Sequence, residues 1–140
     1  MDNQKIIPFL EELELEVQGE NVGVAISLLL SDWERVKGEL ETFYRNRDQK
    51  STLQLMKKGI GFFIQFLYWS NDRKVNSKEP IPFNLLEIKP VNLDERFTYI
   101  LSRPNLFHSY RQLSELFTEQ EKLFAKKNIT KKRLSQKGDL

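Results

Sequence analysis

The feature that most constrains this chain is one apolar run: Val22, Ile26, Leu29, Trp33, Val36, Leu40 and Phe43 recur at alternating steps of four and three. Only a helix brings such positions onto one face, so the segment predicts a long amphipathic helix. Val24, Ala25, Leu28 and Leu30 crowd its first half, which is expected to be buried on more than one side, the second half being a surface helix. Upstream, Ile6, Leu10, Leu13 and Val17 form a shorter stripe whose opposite face carries glutamates, and Gly19 is placed to end it. Downstream of the polar break at residues 46–50, Ser51 and Gln54 have the spacing of a capping box that opens a third helix. Leu53, Met56, Ile60, Phe63 and Leu67 are its stripe, and Phe62, Ile64, Phe66, Tyr68 and Trp69 make its second half apolar nearly all round. That half is the expected centre of the core. Gly59 and Gly61 each weaken a helix by about 1 kcal/mol relative to Ala. Close approach of a neighbouring helix accounts for them most economically, with a kink as the alternative.

From Ser70 to Pro90 the composition turns polar and includes Pro80, Pro82 and Pro90, which forbids a continuous helix and predicts a long connection with one helical turn near Phe83 to Ile88. Asn92 and Glu95 then have the spacing of a cap for a short helix presenting Phe97, Ile100 and Leu101, ended at Pro104. The last stripe, Leu106, Tyr110, Leu113, Phe117 and Phe124, predicts a helix to about Lys127. No segment alternates with period two, so a sheet is not supported. The expected fold is all-α: an irregular antiparallel helical bundle of four long helices plus one or two short ones. A single domain over residues 1–127 with a basic, flexible tail over 128–140 is the expected organisation. A dimeric coiled coil through the second helix is the structural alternative.

Whole classes of function drop out on composition. The chain has no cysteine, which removes disulfide scaffolds, thiol catalysis and thiolate metal sites. The N-terminus, with Pro8 and a run of glutamates soon after Met1, lacks the layout of a secretory signal. The most apolar stretch, 59–69, is too short for a membrane span, which needs about 20 residues. A cytoplasmic location is the resulting default. The net charge of +2 hides a polarity: residues 1–20 hold six acids and one Lys, residues 121–140 seven basic groups and two acids. That asymmetry can steer partners and says nothing about fold.

Candidate chemistry is sparse. His108 is the only histidine, and Glu115 alone shares a similar helix face, too few groups for a coordination shell. It reads as a hydrogen-bonded structural histidine near a helix start. Arg96, Tyr99 and Arg103 fall on one helix face, and His108 and Arg111 open the next, so the five can converge on an anion-accepting patch. The plainer reading pairs these cations with Glu87, Asp94 or Glu95 at the surface. Lys126, Lys127, Lys131, Lys132, Arg133 and Lys137 form a basic tail able to hold nucleic acid without sequence preference, or to meet an acidic protein surface. The aromatic block at 62–69 lacks interleaved basic residues and reads as core rather than as a stacking platform. No phosphate loop, dinucleotide fingerprint, calcium loop or zinc-protease motif occurs, so no cofactor, metal or catalytic residue is expected.

The segment RPNLFHSYRQLSELFTEQEKLFAKK, Arg103 to Lys127, resembles the YpoC-like proteins of Bacillus-type bacteria, as does DERFTYIL, Asp94 to Leu101. GIGFFIQFLYW, Gly59 to Trp69, fits more loosely, and the first fifty residues add little. The resemblance implies a bacterial cytoplasmic protein and carries over no site residues. The expected function is a non-enzymatic protein–protein interaction module. Non-specific nucleic-acid binding through the tail and an anionic ligand near Arg103, His108 and Arg111 are the alternatives, and a homodimer is compatible with all three.

Overall fold

The computed structural model describes residues 21–138, with side chains to Leu134. The stripe expected at Ile6 to Val17 and its stop at Gly19 lie outside the described residues. Among those described the fold is all-α: α1 (Val22–Arg45), α2 (Gln49–Ser70), α3 (Leu93–Ser102) and α4 (Phe107–Gly138), with a 3-10 turn at Phe83–Leu85 in the long connection.

Asn21 starts α1, its side-chain oxygen accepting the Val24 amide at 3.1 Å. The helix closes through Arg47 in the left-handed region, φ 57, which lets the Asp48 amide donate back to the Phe43 carbonyl at 3.0 Å. Asp48 then caps the next helix, accepting the Ser51 amide at 3.1 Å. The cap is therefore Asp48 rather than Ser51, and α2 begins three residues earlier than the capping-box spacing suggested. A backbone hydrogen bond from Ser51 holds the Asp48 carboxyl below its usual pKa. So short a link makes α1 and α2 an antiparallel hairpin.

The stripe of α1 is buried at Ile26, Leu29, Trp33, Val36 and Leu40, covered by the same chain. Its second half behaves as expected, but its first half does not: Val24 is 52% and Leu28 64% exposed. Extra apolar positions widen a stripe without supplying the neighbour that would cover it. The second half of α2 is buried all round, from Phe63 to Ser70. Trp33 stacks on Phe117 of α4 with ring centroids 4.3 Å apart and planes 12° apart, and Phe63 meets the same ring edge-on at 5.3 Å. Such pairs add about 0.5–1.5 kcal/mol beyond burial. Gly59 makes this approach possible, since a Cβ there would lie 2.6 Å from Cζ3 of Trp33 and 3.3 Å from Cδ2 of Leu113. The expectation of close helix packing at Gly59 holds.

Asn92 stands at the start of α3 with φ 56 and no side-chain cap. Its role is to turn the backbone through the left-handed region, which Asn tolerates better than most residues. α4 continues to Gly138 instead of ending near Lys127. Its later turns are exposed, from Asn128 to Leu134, and residues 128–138 extend roughly 16 Å as a helix at 1.5 Å per residue. No membrane-crossing helix, long and apolar enough, occurs among the described residues.

Candidate functional site

Two surfaces were singled out by sequence, and the structure treats them differently. At the α3–α4 corner Arg96 turns onto α4. Its guanidinium donates to both carboxylate oxygens of Glu119, at 2.9 and 2.6 Å, and to the Val91 carbonyl at 2.9 Å. Glu115 stands further off at 4.0 Å. The hydrogen bond to Glu119 raises the Arg96 pKa and the reciprocal bond lowers that of Glu119. Arg96 is thus a clasp between helices and is not available to an anion. The plainer reading holds for Arg96 in that it is ion-paired, with Glu119 of α4 as the partner, while Glu87 pairs with Lys127.

The other four members stay at the surface. Tyr99 and His108 meet edge-on with ring centroids 5.5 Å apart, and His108, Arg103 and Arg111 are exposed. Among the described residues His108 packs against an aromatic ring, with no hydrogen bond of the expected kind. Its neighbour Ser109 does the anchoring: it is fully buried and donates to the Arg103 carbonyl at 2.6 Å, across the turn between α3 and α4. At the next residue, the Tyr110 hydroxyl donates to Glu41 of α1 at 2.7 Å. Burial, then that hydrogen bond, pushes the Tyr110 pKa up to about 12. Tyr44, whose hydroxyl donates to the Leu106 carbonyl at 3.0 Å, is raised as well, chiefly by desolvation.

The second surface is the C-terminal half of α4. Lys127 leaves the expected basic set, because its ammonium donates to the Ser70 carbonyl at 2.9 Å and pairs with Asp72 at 3.0 Å and Glu87 at 3.5 Å. It secures α4 to the end of α2 and to the long connection. The same junction buries Gln120, whose amide nitrogen donates to the Ser70 hydroxyl at 2.8 Å. Asn71 bonds Ile88 in both directions at 2.8 Å. Sequence reading passed over this polar joint. Its trace was there, since Gln120 occupies the core-facing position between Phe117 and Phe124 where the stripe calls for an apolar residue.

Beyond the joint opens a cleft of about 590 Å³. Ile88, Leu123 and Leu134 give it apolar walls, and Lys126 and Lys131 stand on the α4 side, facing Asp72 and Glu87. Leu134 is 65% and nearby Ile129 53% exposed. Lys132 and Arg133 are exposed on the same helix; the side chain of Lys137 lies outside the described residues. Among the described residues no group of three or more His, Asp or Glu is placed to hold a metal ion.

The architecture defines a small all-α protein whose last helix outruns its core. The chain belongs to the YpoC-like protein family, whose model matches residues 24–132. It is 30% identical over 126 residues to a Bacillus subtilis (strain 168) protein named uncharacterized protein YpoC, covering 89% of this chain and 77% of that one. No solved structure matches it significantly.

Proposed function

We propose that the chain is a non-enzymatic protein–protein interaction module of the bacterial cytoplasm, and that the C-terminal half of α4 is its docking face. The observation that carries this reading is the mixed lining of the cleft beside that helix, with Ile88, Leu123 and Leu134 next to Lys126 and Lys131. Apolar walls with a cationic edge suit a partner helix that has an apolar stripe and an acidic flank, giving buried area together with charge steering. An exposed helix bearing uncovered Ile129 and Leu134 is also the kind of surface that marks association sites.

A second reading, non-specific nucleic-acid binding, draws on Lys126, Lys131, Lys132 and Arg133 exposed along one helix. Against it stand Asp72 and Glu87 in the same cleft, which repel phosphates, and the engagement of Lys127 by both. The two readings part on one experiment. A photo-crosslinking residue replaces Leu134 in the full chain expressed in a bacterium, with Arg47, at the far end of the α1–α2 hairpin, as the control position. The protein reading expects one dominant protease-sensitive adduct from position 134 and none from 47. Adducts removed by nuclease, or equal labelling from both positions, would overturn it.

A further inference from the structure

The corner where α3 meets α4 exposes aromatic rings beside arginines that no described carboxylate neutralises. Tyr99 is 37% and Phe107 49% exposed, and Arg103, His108 and Arg111 are exposed around them. Arg111 lies one turn along α4 from Phe107 and His108, which puts the three on one side of the helix. The hydrogen bond from Ser109 to the Arg103 carbonyl brings Arg103 to the same first turn. Among the described residues neither Arg103 nor Arg111 is ion-paired. The nearby acids are engaged elsewhere, Glu41 by the Tyr110 hydroxyl and Glu115 and Glu119 by Arg96. Phe107 is exposed yet held: Tyr44 meets it edge-on at 5.2 Å and Tyr110 lies against it at 5.7 Å. A ring fixed before any ligand arrives loses little entropy on binding.

We propose that this corner binds single-stranded nucleic acid, with an unstacked base on the Phe107 ring and Arg103 and Arg111 on neighbouring phosphates. Such binding needs two ingredients, a cationic track for the backbone and exposed rings for the base faces. The C-terminal half of α4 has only the first. Its sequence from Ala125 to Gly138 contains no aromatic residue, and Lys126 and Lys131 face Asp72 and Glu87. The corner has both. Arginine suits this partner better than lysine, since its planar fork donates to two phosphate oxygens at once and its plane stacks on bases. A duplex is disfavoured, because its base faces are already stacked on one another. RNA and DNA single strands share the chemistry used.

Roughly 30 Å of α4 separates the corner from Lys126. The proposal therefore does not rest on the docking face at the other end of the helix, and Lys126, Lys131 and Leu134 stay unaltered in its test.

The full chain is titrated at low salt into a labelled oligothymidylate of about 20 nucleotides, read by fluorescence anisotropy, with oligouridylate as the RNA arm. Binding of either supports the proposal, and the tighter one gives the source. Single strands are expected to bind at least about tenfold tighter than a duplex of the same length. Phe107→Ala is expected to weaken binding about tenfold and Phe107→Trp to retain it. Arg103→Ala with Arg111→Ala should lower the slope of log affinity against log salt by about 1.4. Both arginines are exposed, so that pair reads out even where Phe107→Ala fails to fold. Lys132→Ala with Arg133→Ala, on the far half of α4, should change affinity by no more than about twofold. A parent chain that binds neither single strand, a loss that follows the Lys132 and Arg133 pair instead of the corner residues, or equal affinity for the duplex overturns the proposal. So does polyglutamate displacing the oligonucleotide as readily as unlabelled oligothymidylate, which would make the corner a face for acidic proteins.

Discussion

Two stretches of α4 show what packing does and does not demand of a helix. Around Phe117 three helices meet so closely that Gly59 has no room for one more carbon. Past Lys127 the same helix leaves its neighbours and exposes Ile129 and Leu134 to solvent. The first region holds the fold together through ring contacts and polar clasps. The second contributes little to it, and is therefore free to serve recognition. On the proposed function, stability and binding are separated along a single element.

Mutations sharpen the contrast by their size. Phe117→Ala removes the ring that Trp33, Phe63 and Phe66 pack against, and is expected to cost about 3–5 kcal/mol in chemical denaturation. Gly59→Ala forces a Cβ into the Trp33 ring, whose buried position leaves it little room to yield. An overpacking cost of about 1–3 kcal/mol is expected. A Gly59→Ala chain as stable as the parent would break the account of that junction.

Glu119→Gln weakens the clasp to Arg96. Both side chains are partly exposed, so screening keeps the cost to about 1 kcal/mol or less. Its pH dependence is more telling. Arg96 holds the Glu119 carboxyl below its usual 4.5, so the unfolded chain takes up that proton before the folded one does. The clasp therefore contributes fully above pH 4.5 and is lost as pH falls through the lower folded value. Unfolding curves between neutral pH and pH 3 should converge for parent and Glu119→Gln as acidity rises; a constant gap would contradict the assignment. At the small end of the scale, Ile129→Ala is expected to change stability by less than about 0.5 kcal/mol. A larger loss would mean that the end of α4 is packed after all.

Periodicity announced the helices well. The stripe from Ile26 to Leu40 and the apolar second half of α2 could be read directly, because burial on one face leaves a period of 3.6. Gly59 was legible too, being costly in a helix unless something comes close. Caps were less so: Asp48 took the role given to Ser51, since several side chains near a helix start can accept the same amide. Arg96 shows why the candidate site was only partly readable. Its partner Glu119 lies 23 residues away in sequence, and only the crossing of α3 over α4 brings them together. Lys127 looked like one more tail cation because its partners Asp72 and Glu87 come from a distant connection.

The separation of stability from recognition is tested most directly by one doubly substituted full-length chain, Lys126→Glu with Lys131→Glu, carrying the photo-crosslinking residue at position 134. Its adduct yield is read alongside its Tm. The account predicts a Tm within about 2 °C of the parent, because both lysines are exposed, and loss of most of the protein adduct. An undiminished adduct, or a Tm that falls together with it, would contradict it.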